Sequence, residues 1–290
     1  MQIEVPASSP SNSLRYKLRN RVLIPVRERT SAFRARPDLV IAGVQKGGTT
    51  PFFRFLSEHP QVMRGLVKES HYFDRHYHRG PIWYRALYPL KVSRRRQQNK
   101  LGLPVRVMDA TPDYVFDPRA PERIARDLPD ARFVIFLRDP VARAYSNYQM
   151  MVAREYETLS FGDAVAAEPE RVAGEWEKML ADPDYISHPI RIFGYMLRSR
   201  YADQLERWFA HVPRERTLVV RSEDAREDPA RAFRQLTDFF EIEPFDPPSF
   251  TPPNARSYAP LDPGLRRELA DEFAESNRRL AEILGRDMGW

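Results

Sequence analysis

From Asp38 onward, short unbroken apolar runs alternate with longer stretches in which apolar residues recur every three to four positions. The runs Leu39 to Val44, Val105 to Asp109, Arg132 to Leu137 and Thr217 to Arg221 are rich in Val, Ile and Leu, as strands buried on both faces must be. The helical period, with Pro or Asp near its start, predicts helices over Thr50 to Glu58, Pro121 to Leu128, Val141 to Arg154, Ile190 to Ala210, Ala230 to Phe240 and Gly264 to Leu284. Strand followed by helix, repeated, is how a parallel sheet covered by helices on both faces is written, so the expectation is one α/β domain over residues 38–290. Pro244 to Pro253 is read as a surface wrap before the last helix. Residues 1–37 begin with Ser, Pro and Asn and continue with regularly spaced arginines, which reads as a flexible or loosely docked basic arm. Such an arm is either a solvated extension or a peripheral contact to an anionic membrane or acceptor.

Charge and composition narrow the ligand more than the fold. The formal net charge is +6, but 40 acidic residues are interspersed with the 46 basic ones, which fits an anionic small ligand and not nucleic acid. No segment approaches the roughly 20 apolar residues of a membrane span, and the start of the chain lacks the apolar centre of a signal peptide. The expectation is a cytoplasmic protein. With no cysteine there are no disulfides and no thiolate metal ligands. His71, Asp74, His76 and His78 cluster in sequence without matching any familiar metal-ligand spacing. Only six residues are lysine, so Lys46 inside a glycine turn stands out.

Val40-Ile41-Ala42-Gly43-Val44-Gln45-Lys46-Gly47-Gly48-Thr49-Thr50 runs from a buried strand through a glycine turn into a helix, the arrangement of a P-loop-like anion cradle. Gly47 and Gly48 permit close backbone approach and positive φ, Thr49 and Thr50 add hydroxyls, and Lys46 adds a full charge. A nucleotide kinase loop places its lysine after the second glycine, whereas here it precedes both, which selects against a polyphosphate. A second segment, Arg132 to Pro140, ends with Arg138 at the C-terminal edge of a strand, with Asp139 as N-cap and Pro140 as first helical residue. Arg138 together with Ser146 of the following helix forms a second anion site.

These two segments, in this order and about 90 residues apart, resemble the 5′-phosphosulfate and 3′-phosphate segments of sulfotransferases that use 3′-phosphoadenosine 5′-phosphosulfate, PAPS. Lys68-Glu69-Ser70-His71-Tyr72-Phe73-Asp74, Trp83-Tyr84, Thr111-Pro112-Asp113-Tyr114, Asn254-Ala255-Arg256 and Asp262-Pro263 are similar to the heparan sulfate sulfotransferase branch and its bacterial relatives. The resemblance covers about residues 38–290. It implies PAPS as donor, adenosine 3′,5′-bisphosphate (PAP) as product and no metal. Lys46, Gly47, Gly48, Thr49 and Thr50 would hold the 5′-phosphosulfate, Arg138 and Ser146 the 3′-phosphate, and Arg256 would add a contact from a closing loop.

In-line sulfo transfer needs a base for the acceptor and a cation for the departing phosphate. Lys46 is the cation. Glu69 matches the family's catalytic glutamate, and His71, with an ordinary pKa near neutrality, is the alternative base. Where the heparan sulfate branch has Glu-Lys-Thr-Pro, this chain has Asp109-Ala110-Thr111-Pro112, so the family's lysine is absent. Asp109 and Asp113 are then expected to make an acidic rim suited to a neutral or cationic acceptor. Tyr72, Trp83, Tyr84 and Tyr114 are expected to line an acceptor cleft, with Phe73 in the core. The acceptor class is a small metabolite, glycan or glycolipid, with O-sulfation favoured over N-sulfation, and the Arg-rich, Lys-poor composition points to a bacterial source. Two other readings stay open: a nucleotide kinase with an atypical loop, and a nucleotide-binding module without catalysis.

Overall fold

The computed structural model describes residues 18–247, 249 and 259–290. Five strands, β1 (Leu39–Gly43), β2 (Val62–Arg64), β3 (Arg106–Ala110), β4 (Arg132–Leu137) and β5 (Thr217–Arg221), form one sheet in the order β2-β3-β1-β4-β5. All pairings are parallel, with Leu39 opposite Met108 on one side and Arg132 on the other. Successive residues of a strand point to opposite faces, and the two cores follow that alternation. Val40, Val107, Phe133 and Ile135 enter one core with Leu205, Trp208 and Ile124 of covering helices. Leu39, Ile41, Met108, Val134 and Phe136 enter the other with Phe52, Phe55, Phe233 and Leu236. The predicted single α/β domain with helices on both faces is therefore the observed architecture.

Four strands and most helices fall where the pattern placed them. β2 was not foreseen, because three residues carry too little pattern. The stretch from Ile190 to Ala210 is not one helix: it divides into His188–Phe193, a 3-10 turn at Leu197–Ser199 and Tyr201–Phe209. The break is at Gly194, where a Cβ would lie 2.5 Å from the Ile190 carbonyl oxygen. Residues 18–37, expected as a loose arm, are docked. Ile24 and Ala35 are buried in the first core, and Arg27 donates to the Ala86 and Tyr88 carbonyls at 2.6 Å each. Of the proline-rich wrap, residues 248 and 250–253 fall outside the described residues.

Chain direction decides where a ligand can bind. β1 lies between β3 and β4; the chain leaves β1 towards β2 on one side of the sheet and leaves β4 towards β5 on the other, so the loops leaving β1 and β4 diverge and open a crevice at their C-terminal ends.

Candidate active site

The loop after β1 is built to present its backbone. Lys46 has φ 70° and Gly48 φ 86°, both in the left-handed region, and Gly48 caps the helix Thr49–Glu58 without a side-chain hydrogen bond. Gly47 is required sterically: an added Cβ would lie 2.5 Å from the Phe136 carbonyl oxygen and 2.8 Å from Val44 Cγ2. The Gly47 N–H is spent on the Val44 carbonyl at 2.9 Å. Ser222, at the start of the helix after β5, donates to the Gly47 carbonyl at 2.6 Å. Thr49 is buried, and Gly48 and Thr50 are exposed.

The second segment reaches the first. Arg138 Nη1 lies 3.4 Å from the Lys46 carbonyl oxygen, and Tyr201 donates to the Arg138 carbonyl at 2.8 Å. Asp139 caps its helix by accepting from the Ala142 N–H at 2.7 Å, as expected. Ser146 lies on the buried side of that helix. Arg138 Nε is buried with no partner among the described residues, as is the whole side-chain amide of Asn147 beside Ser146. An unsatisfied guanidinium N–H, a left-handed turn with open space at Gly48 and a helix start without a side-chain cap together fit an anionic ligand. Arg256 lies outside the described residues.

A chain of charges extends from this loop. Lys68 Nζ donates to Thr50 Oγ1 at 2.7 Å and lies 3.6 Å from Glu69 Oε1. Glu69 Oε2 is 3.3 Å from His71 Nε2, and His71 Nδ1 donates to Asp74 Oδ2 at 2.8 Å. Arg75 binds Asp74 and Asp113, and Arg198 closes the series on Asp113 at 2.5 Å. Thr111, fully buried after β3, accepts from the Ser70 and His71 N–H groups and so fixes the Glu69 segment to the sheet. His71 itself has φ 49°, a left-handed backbone held by these contacts.

The protonation states follow from the surroundings. Burial opposes charge on His71, but the Asp74 charge and hydrogen bonds donated to Asp74 and Glu69 prevail and push its pKa up to about 9. An imidazolium with both N–H groups directed at carboxylates has no lone pair to take a proton. Burial tends to raise Glu69, yet the His71 hydrogen bond and charge, with Lys68, hold it below the usual carboxylate range. Burial likewise tends to raise Asp113, and Arg198 and Arg75 drive it well below that range. His71, Asp74 and Asp113 offer ligand atoms within 4.8 Å of one another, but Arg75 and Arg198 already balance the two carboxylates.

The acceptor residues expected from sequence are not on a cleft wall. Tyr72, Trp83, Tyr84 and Tyr114 are buried, and Tyr72 stacks on Tyr84 with centroids 4.3 Å apart. Phe73 is in the core, as expected. Asp109 makes no acidic rim. It is 2 % exposed and accepts from Tyr84 OH, Tyr114 OH, Ser70 Oγ and the Ala110 N–H, while burial raises its pKa. Asp113 is neutralised by two arginines, and the pocket beside it, about 30 Å³, holds roughly one water. Ala110 is buried in the second core. A groove of about 420 Å³, lined by Lys68, runs past Phe53, Arg64, Val67 and Leu87. Sequence reasoning gave Lys68 and Thr111 no role, although both stand in the motifs that carry the resemblance, and missed Arg75, Arg198 and Ser222, which carry no local signal.

A model of the sulfotransferase domain matches residues 36–248. Heparan sulfate glucosamine 3-O-sulfotransferase 3A1 of Mus musculus is 29% identical over 278 residues, covering 88% of this chain and 64% of its own length. The membrane-associated sulfotransferase kil1 of Dictyostelium discoideum is 26% identical over 319 residues, covering 88% of this chain and 66% of its own. The chain thus spans less than two thirds of the length of these relatives. The crystal structure of a sulfotransferase from Alicyclobacillus acidocaldarius superposes with a TM-score of 0.65 at 28% identity, covering 87% of this chain and 97% of the other.

Proposed function

The chain belongs to the sulfotransferase domain family, and from that premise we propose that it moves a sulfo group from PAPS to an acceptor hydroxyl, releasing PAP. The observation that carries the reading is the Lys68 ammonium bonded to Thr50 of the anion loop while lying 3.6 Å from Glu69, which joins a donor site to a base in one contact. The bound donor supplies an activated sulfo group on a phosphosulfate anhydride. Lys46, Thr49 and Thr50 hold its 5′ end, and Arg138, with its unpaired Nε, and Ser146 hold its 3′-phosphate.

Glu69 is the base. It is ionised at neutral pH and exposed enough to meet an acceptor, and it takes the hydroxyl proton on its carboxylate. His71 is a positioning cation for Glu69, buttressed by Asp74, and is no longer the alternative base. With Ala110 at the family's lysine position, Lys68 supplies positive charge to the same junction from the opposite side. Lys46 and Lys68 then stabilise charge on the leaving phosphate oxygen, the electrostatic help that lowers such barriers most. The acceptor enters by the groove beside Lys68, where Arg64 and Lys68 favour a neutral or anionic molecule such as a glycan or glycolipid over a cationic one.

Calorimetric titration with PAP, followed by transfer assays with labelled PAPS, tests this. Binding that weakens by about 100-fold in Arg138→Ala, and transfer that fails in Glu69→Gln while PAP binding persists, is expected. Magnesium-dependent ATP turnover without PAP binding would move the reading to a kinase. PAP binding with no transfer to any acceptor class would leave a nucleotide-binding module.

A further inference from the structure

The helical stretch through Arg19–Leu23 and Ile24–Glu28, with the turn Ser31–Phe33, shows an unusual division of its residues. Ile24, Arg27 and Arg34 face the body of the protein, where Ile24 is buried and the two arginines hydrogen-bond the Tyr88 carbonyl. Outward stand Leu18, Val22, Val26 and Phe33, 60%, 52%, 55% and 69% exposed, with Leu23 beside them. The other exposed positions between 18 and 36 are Arg21, Arg29 and Arg36, with Pro25 and Ala32. None is acidic, and none is a neutral hydrogen-bonding side chain. Ile82, 54% exposed, stands on the helix Gly80–Ala86 that packs alongside.

Water is a poor partner for this face. Large apolar side chains, Leu18, Val22 and Val26 four residues apart, edged at the exposed positions by guanidinium groups with Asn20, Glu28 and Thr30 half-buried, match the interfacial layer of a bilayer, with apolar groups at the acyl boundary and arginines at anionic headgroups. A second copy matches badly, because two-fold pairing of one face with itself sets arginine against arginine with no exposed carboxylate between. Arg15 and Lys17, immediately before the helix, add charge of the same sign. We propose that this face, built on Leu18, Val22, Val26 and Phe33 and edged by Arg21, Arg29 and Arg36, docks the protein on anionic phospholipid bilayers. The inference does not depend on the sulfotransfer reading.

Co-sedimentation of the full chain with phosphatidylcholine vesicles, with and without phosphatidylglycerol, tests it, and circular dichroism with thermal unfolding of each variant, alongside PAP titration, reports whether the fold is intact. Binding to the anionic vesicles is expected, weakening as salt screens the arginines. Val22→Asp with Phe33→Asp is expected to lower partitioning roughly tenfold, and Arg21→Glu with Arg29→Glu to do the same, each with PAP affinity unchanged. Three results overturn the proposal. They are equal or no binding to both vesicle types, wild-type binding by the Val22→Asp, Phe33→Asp variant, or a wild-type dimer that this variant splits without any vesicle binding.

Discussion

Removing the charge of His71 should alter stability in a way that depends on pH, and the size follows from its surroundings. Burial acts against the imidazolium, but Asp74 at 2.8 Å and hydrogen bonds to Asp74 and Glu69 outweigh it and place the folded-state pKa at about 9, against 6.5 for a free imidazole. The folded value is the higher one. The stabilisation is therefore complete below pH 6.5 and is lost as the pH rises through 9. At about 1.4 kcal/mol for each pH unit, the interval amounts to about 3 kcal/mol. Solvent screening takes little of it, since the side chain is only 16% exposed. Urea unfolding of wild type and His71→Gln at about pH 6 and again near pH 9.5 isolates the effect, because other titrating groups cancel between the two proteins. The stability gap should shrink by about 3 kcal/mol across that range, or roughly 6–10 °C in melting temperature. A gap that stays constant within about 1 kcal/mol would refute the imidazolium between Glu69 and Asp74, and with it the argument that His71 cannot serve as the base.

Gly47→Ala should cost at least about tenfold in PAP affinity by calorimetry, because its Cβ meets the Phe136 carbonyl oxygen at 2.5 Å and the loop must move. Lys68→Ala should lower kcat by about 10- to 100-fold while leaving PAP affinity nearly unchanged, and Lys68→Arg should recover part of the loss; equal losses in kcat and PAP affinity would make Lys68 a donor-binding residue only. Asp109→Ala leaves the Tyr84 and Tyr114 hydroxyls buried without their acceptor, so it should destabilise by about 3–5 kcal/mol and lower the melting temperature by roughly 10 °C in a thermal scan.

The two loops proposed to hold the donor were legible as structure in the sequence because each of their constraints is local. A buried parallel strand must be a continuous apolar run, the turn after it must be glycine where a carbonyl approaches, and Asp139-Pro140 announces a helix start. The acceptor half was misread for a physical reason. Aromatic residues at these spacings serve a core or a cleft equally well, and only packing reveals that Tyr72, Tyr84 and Tyr114 enclose Asp109. The charge relay behind Glu69 draws Asp113 and Arg198 from segments 85 residues apart, a pairing no local pattern records. The expected helix from Ile190 to Ala210 failed on one residue, Gly194, whose missing side chain allows the chain to turn against its own preceding carbonyl.

The bond from Ser222 to the Gly47 carbonyl spans 175 residues of sequence. During synthesis the glycine loop emerges early, but its keystone arrives only when β5 and the helix after it have joined the sheet. A nascent or truncated chain ending before Ser222 would therefore carry every residue of the anion loop and still lack its working shape. If the chain binds PAP as proposed, nucleotide capture becomes a late event in its assembly, and bound PAP a reporter that β5 is in place.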